Sequence, residues 1–197
     1  TIKTKGKVKD LKINIKDIDY QSNMIIGHTR WATHGVPSEA NSHPHVSMNG
    51  QFCIVHNGIV ENYLILKDIL LEAGYEFYSQ TDTEVLVNFI EYISNLNPRN
   101  SLEKNISIAL SRINGTYGLV IYNLQNPDLV YIVKKSSPIV IGLLEDKIYI
   151  SSDYYSFLEY TQDVIHLEEG QICTFQLSNL QYQIKSMDSL QVVAPEI

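Results

Sequence analysis

The chain has 197 residues, enough for one domain of ordinary size but not two. Fifteen basic against 22 acidic side chains leave a net charge of −7, which argues against nucleic acid as the main partner. The apolar share of 44% suits a packed globular core, and no apolar run approaches the ~18 residues of a membrane helix.

The opening residues are polar and rich in lysine, from Lys3 to Lys16, with no aromatic residue before Tyr20. They read as a solvated face rather than a nucleic-acid arm. Met24-Ile25-Ile26, turning polar by Trp31, predicts a strand over 23–31 that feeds a loop over 33–44, marked by two prolines and a glycine. Residues 52–55 predict a short buried strand ending at His56-Asn57-Gly58. Leu64, Leu66, Ile69, Leu70 and Ala73, followed by Gly74, predict a helix over 62–73. Thr81 and Glu84 stand at capping-box spacing, ahead of a helix that buries Val85, Leu86, Phe89, Ile90 and Ile93. Ser101 is placed to cap a third helix ending at Asn114-Gly115. Short β-branched and aromatic runs at 117–122, 129–133, 139–143, 148–151, 164–167, 172–177 and 182–185 predict strands, with one helical turn over 154–160. Helices early and strands late predict antiparallel sheets layered with helices, not a parallel doubly wound sheet.

Chemistry-bearing residues concentrate in three places. Arg30 and Trp31 close the first predicted strand. Arginine's planar fork suits a carboxylate, and a surface ion pair beside a core indole is the other reading. Asn57 and Gly58 offer an amide side chain and a bare backbone N–H, either as two oxyanion donors or as a tight turn. Asp82 begins a helix, either as its N-terminal anion or as a partner for an ammonium group. Five histidines (28, 34, 43, 45 and 56) fall within thirty residues, but no Asp or Cys stands at ligand spacing near them, so no metal or cofactor is expected. Cys53 and Cys173 lie in apolar strands as core thiols, too few for a disulfide scaffold, and point to a reducing, cytoplasmic setting.

Taken together, several segments resemble the glutaminase domain of class II glutamine amidotransferases, most closely the branch that aminates fructose 6-phosphate. The segments are Gly27 to Gly35 (GHTRWATHG), Pro37-Ser38, Asn41 with His43-Pro44-His45, and Val55 to Asn62 (VHNGIVEN). Thr81-Asp82-Thr83-Glu84, Gly115 to Gly118 (GTYG), Ser137-Pro138, Ile141-Gly142 and Ser151-Ser152-Asp153 continue the likeness. The resemblance implies an α+β, N-terminal-nucleophile (Ntn) hydrolase-like fold: a four-layer αββα sandwich of antiparallel sheets, here lacking its N-terminal strand and helix. It divides the chain into an N-terminally incomplete glutaminase domain, 1–185, and the start of a linker, 186–197, to an absent sugar-isomerase region. It implies hydrolysis of the L-glutamine side-chain amide and delivery of ammonia to fructose 6-phosphate, with the protein a homodimer through the absent domains.

By position, Arg30 is expected to clamp the substrate α-carboxylate, with Thr33 and His34 nearby, and Asp82 to hold the α-ammonium. Asn57 and the Gly58 N–H are expected to form the oxyanion hole. Trp31 is expected to gate ammonia at the acceptor-domain boundary, and His43 to shape the pocket. The family nucleophile is an N-terminal cysteine. This sequence has no cysteine at its start, so the chain is expected to be inactive alone. The competing expectations are a glutaminase serving another acceptor and a non-catalytic glutamine-binding module.

Overall fold

A computed structural model describes residues 1–19, 22–31 and 35–194. One six-stranded sheet forms the centre. Its members are β1 (His45–Val46), β2 (Phe52–Val60), β3 (Gly115–Asn123), β4 (Leu129–Lys135), β8 (Gln171–Gln176) and β9 (Gln181–Ser186), ordered β1-β2-β3-β4-β8-β9. A second sheet has the order β6-β5-β7, from β5 (Val140–Leu143), β6 (Ile148–Ser151) and β7 (Val164–His166). Every strand pair is antiparallel.

The pleat sends alternate side chains of the central sheet to opposite faces. Leu119 and Ile121 of β3, with Tyr131 and Val133 of β4, meet the helices α2 (Tyr63–Glu72), α3 (Asp82–Leu96) and α4 (Leu102–Leu110). Their neighbours Val120, Tyr122, Val130 and Ile132 meet the second sheet instead. Both faces are therefore apolar, which is why these strands read as unbroken hydrophobic runs rather than alternating ones. On the outer side of the second sheet, Gly142 lies under Phe157, and a Cβ there would come within 2.6 Å of the ring. Among the described residues, this outer layer consists of the turn around Tyr154–Ser156 rather than a full helix.

Several boundaries differ from expectation. Residues 24–31 form no strand, as they find no ladder partner among the described residues. The predicted strand 52–55 continues to Val60, so His56-Asn57-Gly58 lies inside β2, paired with Leu119, Gly118 and Tyr117, and is not a turn. The third helix stops at Leu110, where Ser111 and Arg112 take up turn hydrogen bonds. The lysine-rich opening contains a helix, α1 (Val8–Ile15), with no buried residue; the Lys7 N–H donates to the Asp10 carboxylate at its start. Near the other end, the Val193 N–H donates to the Ile184 carbonyl, and Val193 packs on the inter-sheet core.

α3 is the central helix of its layer, with its first ten residues all buried. One of these, Glu91, is 0% exposed and accepts from the Ser47 hydroxyl at 2.5 Å, the Asn49 amide at 2.8 Å and the Asn49 and Gln51 backbone N–H groups. It thus anchors the hairpin that carries β1 and the histidines leading into it. Glu91→Ala removes the acceptor of the buried Ser47 hydroxyl, whereas exposed Asn49 can turn to water and the Gln51 N–H keeps Ser47 Oγ. A buried orphan costs about 1–3 kcal/mol, so the change should lower thermal stability by several degrees, while Glu91→Gln, which keeps one acceptor oxygen, should lose less. Circular dichroism melts of the two variants check this ordering.

Candidate active site

β2 owes its course to a register in which two glycines allow close approach. Gly58 has φ +140°, and a Cβ on it would stand 2.1 Å from the Thr116 carbonyl oxygen. Gly115, at φ +131°, is equally tight against the Ile59 carbonyl oxygen, at 2.0 Å. Beyond Ile54 the other edge of β2 has no strand partner among the described residues, since β1 is only two residues long and pairs only with Cys53 and Ile54. Side chains take over there. The His56 N–H donates to His43 Nδ1 at 3.2 Å, and the Val60 N–H donates to the Asp82 carboxylate at 2.8 Å. By the alternation of an antiparallel strand, the Gly58 N–H lies on the same edge, between those two.

Asn57, Gly58, Asp82, Arg30, Trp31 and His43 all line one cavity of about 170 Å³. The cavity is smaller than the ~300–1,000 Å³ that holds drug-sized ligands, which suits a small amino acid. His28 Nε2 lies 2.8 Å from Asn57 Oδ1. Because His28 donates into that oxygen, the Asn57 NH₂ is left to donate elsewhere. The Arg30 guanidinium donates to the Gly35 carbonyl at 3.2 Å and the Val36 carbonyl at 3.5 Å. Asn41, 2% exposed, also donates to the Val36 carbonyl and accepts from the Gln80 N–H, so the arginine-bearing loop is tied to the residues just before α3. Trp31 is 89% exposed, which excludes a core indole. Thr33 and His34 lie outside the described residues.

The Thr81-Asp82-Thr83-Glu84 run uses every side chain. Thr81 caps α3 through the Glu84 N–H and lies 3.2 Å from His45 Nε2. Glu84 does not complete the capping box; its carboxylate accepts from the Tyr78 and Ser79 N–H groups. Asp82 is 4% exposed and faces both β2 and the cavity. Its two readings, helix-terminal anion and ligand anion, are therefore compatible.

The sequence marked the histidines only as a cluster without metal spacing. In space His28 stacks on His43, with ring centroids 4.0 Å apart, and His43 meets His45 edge-on at 5.0 Å. Burial, reinforced by the neighbouring imidazoles and Arg30, lowers the His43 pKa well below its ordinary value. Burial likewise brings His45 down to about 3, helped by Lys3 and Arg30. His56 is lowered by burial, which the Asp82 carboxylate only partly offsets. These rings are neutral hydrogen-bonding parts at physiological pH. The two cysteines take no part. Burial pushes the Cys173 thiol up to about 12 and raises that of Cys53, the reverse of an activated nucleophile.

Residues 28–159 match the family described as a glutamine amidotransferase domain. The chain belongs to that family. Among curated relatives, this amidotransferase domain is 41% identical over 196 residues to the glutamine–fructose-6-phosphate aminotransferase (isomerizing) of Bacteroides thetaiotaomicron, covering 99% of the chain and 31% of the relative. It is 39% identical over 188 residues to the enzyme of the same name from Thermococcus kodakarensis, covering 95% of the chain and 31% of the relative. The chain thus spans about a third of the length of these relatives. Its fold matches glutamine phosphoribosylpyrophosphate amidotransferase of B. subtilis with a TM-score of 0.66 at 22% identity, over 84% of the chain and 35% of that structure. That likeness shows the fold: an α+β sandwich of antiparallel sheets shared with that enzyme.

Proposed function

We propose that this chain is the glutamine-binding, glutaminase part of a longer enzyme that hydrolyses the side-chain amide of L-glutamine and passes the ammonia to fructose 6-phosphate, giving glucosamine 6-phosphate. The observation that carries the proposal is the convergence on one small cavity of a cation, an anion and two amide donors from three separate chain segments: Arg30, Asp82, and Asn57 with Gly58. A free amino acid presents the complementary groups, a carboxylate, an ammonium and a side-chain carbonyl. The acceptor follows from the relatives named above and rests on them alone.

In this reading Arg30 takes the α-carboxylate and Asp82 the α-ammonium. When a thiolate attacks the side-chain carbonyl carbon, the C=O electron pair moves onto oxygen, where the Asn57 NH₂ and Gly58 N–H receive it. The proton taken from the thiol passes to the amide nitrogen, collapse of the intermediate expels ammonia and leaves a thioester, and water then cleaves the thioester to glutamate and the restored thiol. Neither Cys53 nor Cys173 supplies the thiolate, since both are buried in strands. In this reading Trp31, exposed and lining the cavity, shields the departing ammonia, and His43 shapes the wall.

Titration calorimetry with L-glutamine, and with glutaramate, which lacks the α-amine, tests the binding roles. Asp82→Asn can still accept from the Val60 N–H but loses the charge. It should weaken glutamine about 10- to 100-fold, from the ~1.5–3 kcal/mol of a charge-assisted hydrogen bond, and leave glutaramate nearly unchanged. Arg30→Lys keeps the charge and loses the fork, so both ligands should weaken. Equal losses for the two ligands in Asp82→Asn would remove Asp82 from the ammonium site.

A further inference from the structure

Thr83 follows Asp82 on α3 and is 2% exposed. Its hydroxyl oxygen lies 3.0 Å from His56 Nδ1 and 3.3 Å from His43 Nε2. The outer partners decide the direction of each bond. The His56 backbone N–H points at His43 Nδ1, so that nitrogen accepts and the neutral ring carries its proton on Nε2. His43 therefore donates to Thr83, and the single Thr83 proton goes to His56 Nδ1. His56 then holds its own proton on Nε2, 3.3 Å from the Thr116 carbonyl oxygen. The reverse order would set two protons against each other at His43 Nδ1 and two lone pairs against each other at Thr116. Only one arrangement of hydrogens satisfies every group.

This ring of bonds touches both ends of the cavity. His56 immediately precedes Asn57, and its Nε2 would lie 2.9 Å from a Cβ on Gly58. His43 stacks on His28, the ring that donates to the Asn57 side chain. On the other side, Thr83 adjoins Asp82 on the same helical turn. Building on the glutaminase reading, we infer that Thr83 is a positioning residue: its hydroxyl, by ordering His43 and His56, holds the Asn57-Gly58 donors in register with Asp82. Thr83 lines the cavity beside Asp82, but in this scheme its hydroxyl is committed to the two histidines rather than to substrate. It sets the distance between the group that holds the ammonium and the groups that receive the developing negative charge.

The test is steady-state ammonia release from glutamine by the longer enzyme, comparing Thr83→Val, which keeps the shape and removes the hydroxyl, with Thr83→Ser, which restores it. Misplacement of donors acts on the transition state. Thr83→Val should therefore lower kcat by about 10- to 100-fold with KM changed less than about twofold, and Thr83→Ser should recover to within about threefold of the parent. Histidine-selective ¹⁵N spectra of the unaltered protein and of Thr83→Ser should show His43 and His56 as neutral Nε2–H tautomers, a readout independent of whether the valine variant folds. A kinetically normal, folded Thr83→Val overturns the inference, as does an Nδ1–H tautomer or a protonated ring at either position. An unaltered enzyme that neither binds nor turns over glutamine overturns the proposed function itself. Normal glutamine turnover in both variants removes only the role of Thr83.

Discussion

In the longer enzyme, Asn57→Ala should lower glutamine turnover by ~10²–10³ with little change in KM, the usual cost of losing one oxyanion donor. The reason is where the charge appears. Bound glutamine presents a neutral carbonyl, for which one amide N–H adds little, whereas the tetrahedral intermediate carries a full negative charge on the same oxygen. His28 already occupies Asn57 Oδ1, so the amide is oriented with its NH₂ outward before substrate arrives. Asn57→Asp should do worse than alanine, because it removes the donor and sets a like charge beside the oxyanion. Asn57 is an exposed side chain within a nine-residue strand, and neither change should move the melting temperature by more than a few degrees. Single-turnover rates and melts on the same samples check both points. Near-normal chemistry in folded Asn57→Ala would take Asn57 out of the site.

Gly58→Ala should be the most damaging single change to the fold of the site. A φ of +140° is conformational space that L side chains rarely enter, and holding one there costs about 1–3 kcal/mol. The added methyl would also stand 2.1 Å from the Thr116 carbonyl oxygen and 2.6 Å from its carbon, both backbone atoms of the adjoining strand. β2 and β3 must separate at the point where β2 presents its donors. The combined loss should exceed about 3 kcal/mol, which for a domain of this size lowers the melting temperature by on the order of 10 °C. Glutamine binding should fall with it. Gly115→Ala, which meets the Ile59 carbonyl in the same way, should match the loss of stability. A melting temperature within about 2 °C of the parent for Gly58→Ala would show that Thr116 can yield and that the close approach is not what confines this position to glycine.

Local signals in the sequence carried the helices and most of the strands. Thr81 and Ser101 as caps, Gly74 as a stop, and the apolar spacing of 85–90 place α2, α3 and the start of α4 to within a residue or two, because capping and amphipathic spacing are satisfied within a few residues. The six candidate site residues that can be located were also legible, through residue type and family resemblance: a guanidinium, an indole, an imidazole, an amide, a glycine and a carboxylate. What tertiary structure decided was their relation. Asn57-Gly58 has the composition of a turn, yet its pairing with Gly118 and Tyr117 holds it extended within β2. Met24-Ile25-Ile26 has strand composition but no ladder to join, and Ile25 is left exposed. The roles of His28, His56 and Thr83 were invisible in one dimension, since each comes from a partner 13 to 40 residues away. Short-range periodicity fixes what a segment prefers to be; hydrogen bonds between distant segments, which no local pattern encodes, determine which neutral tautomer a buried histidine adopts and where an amide points.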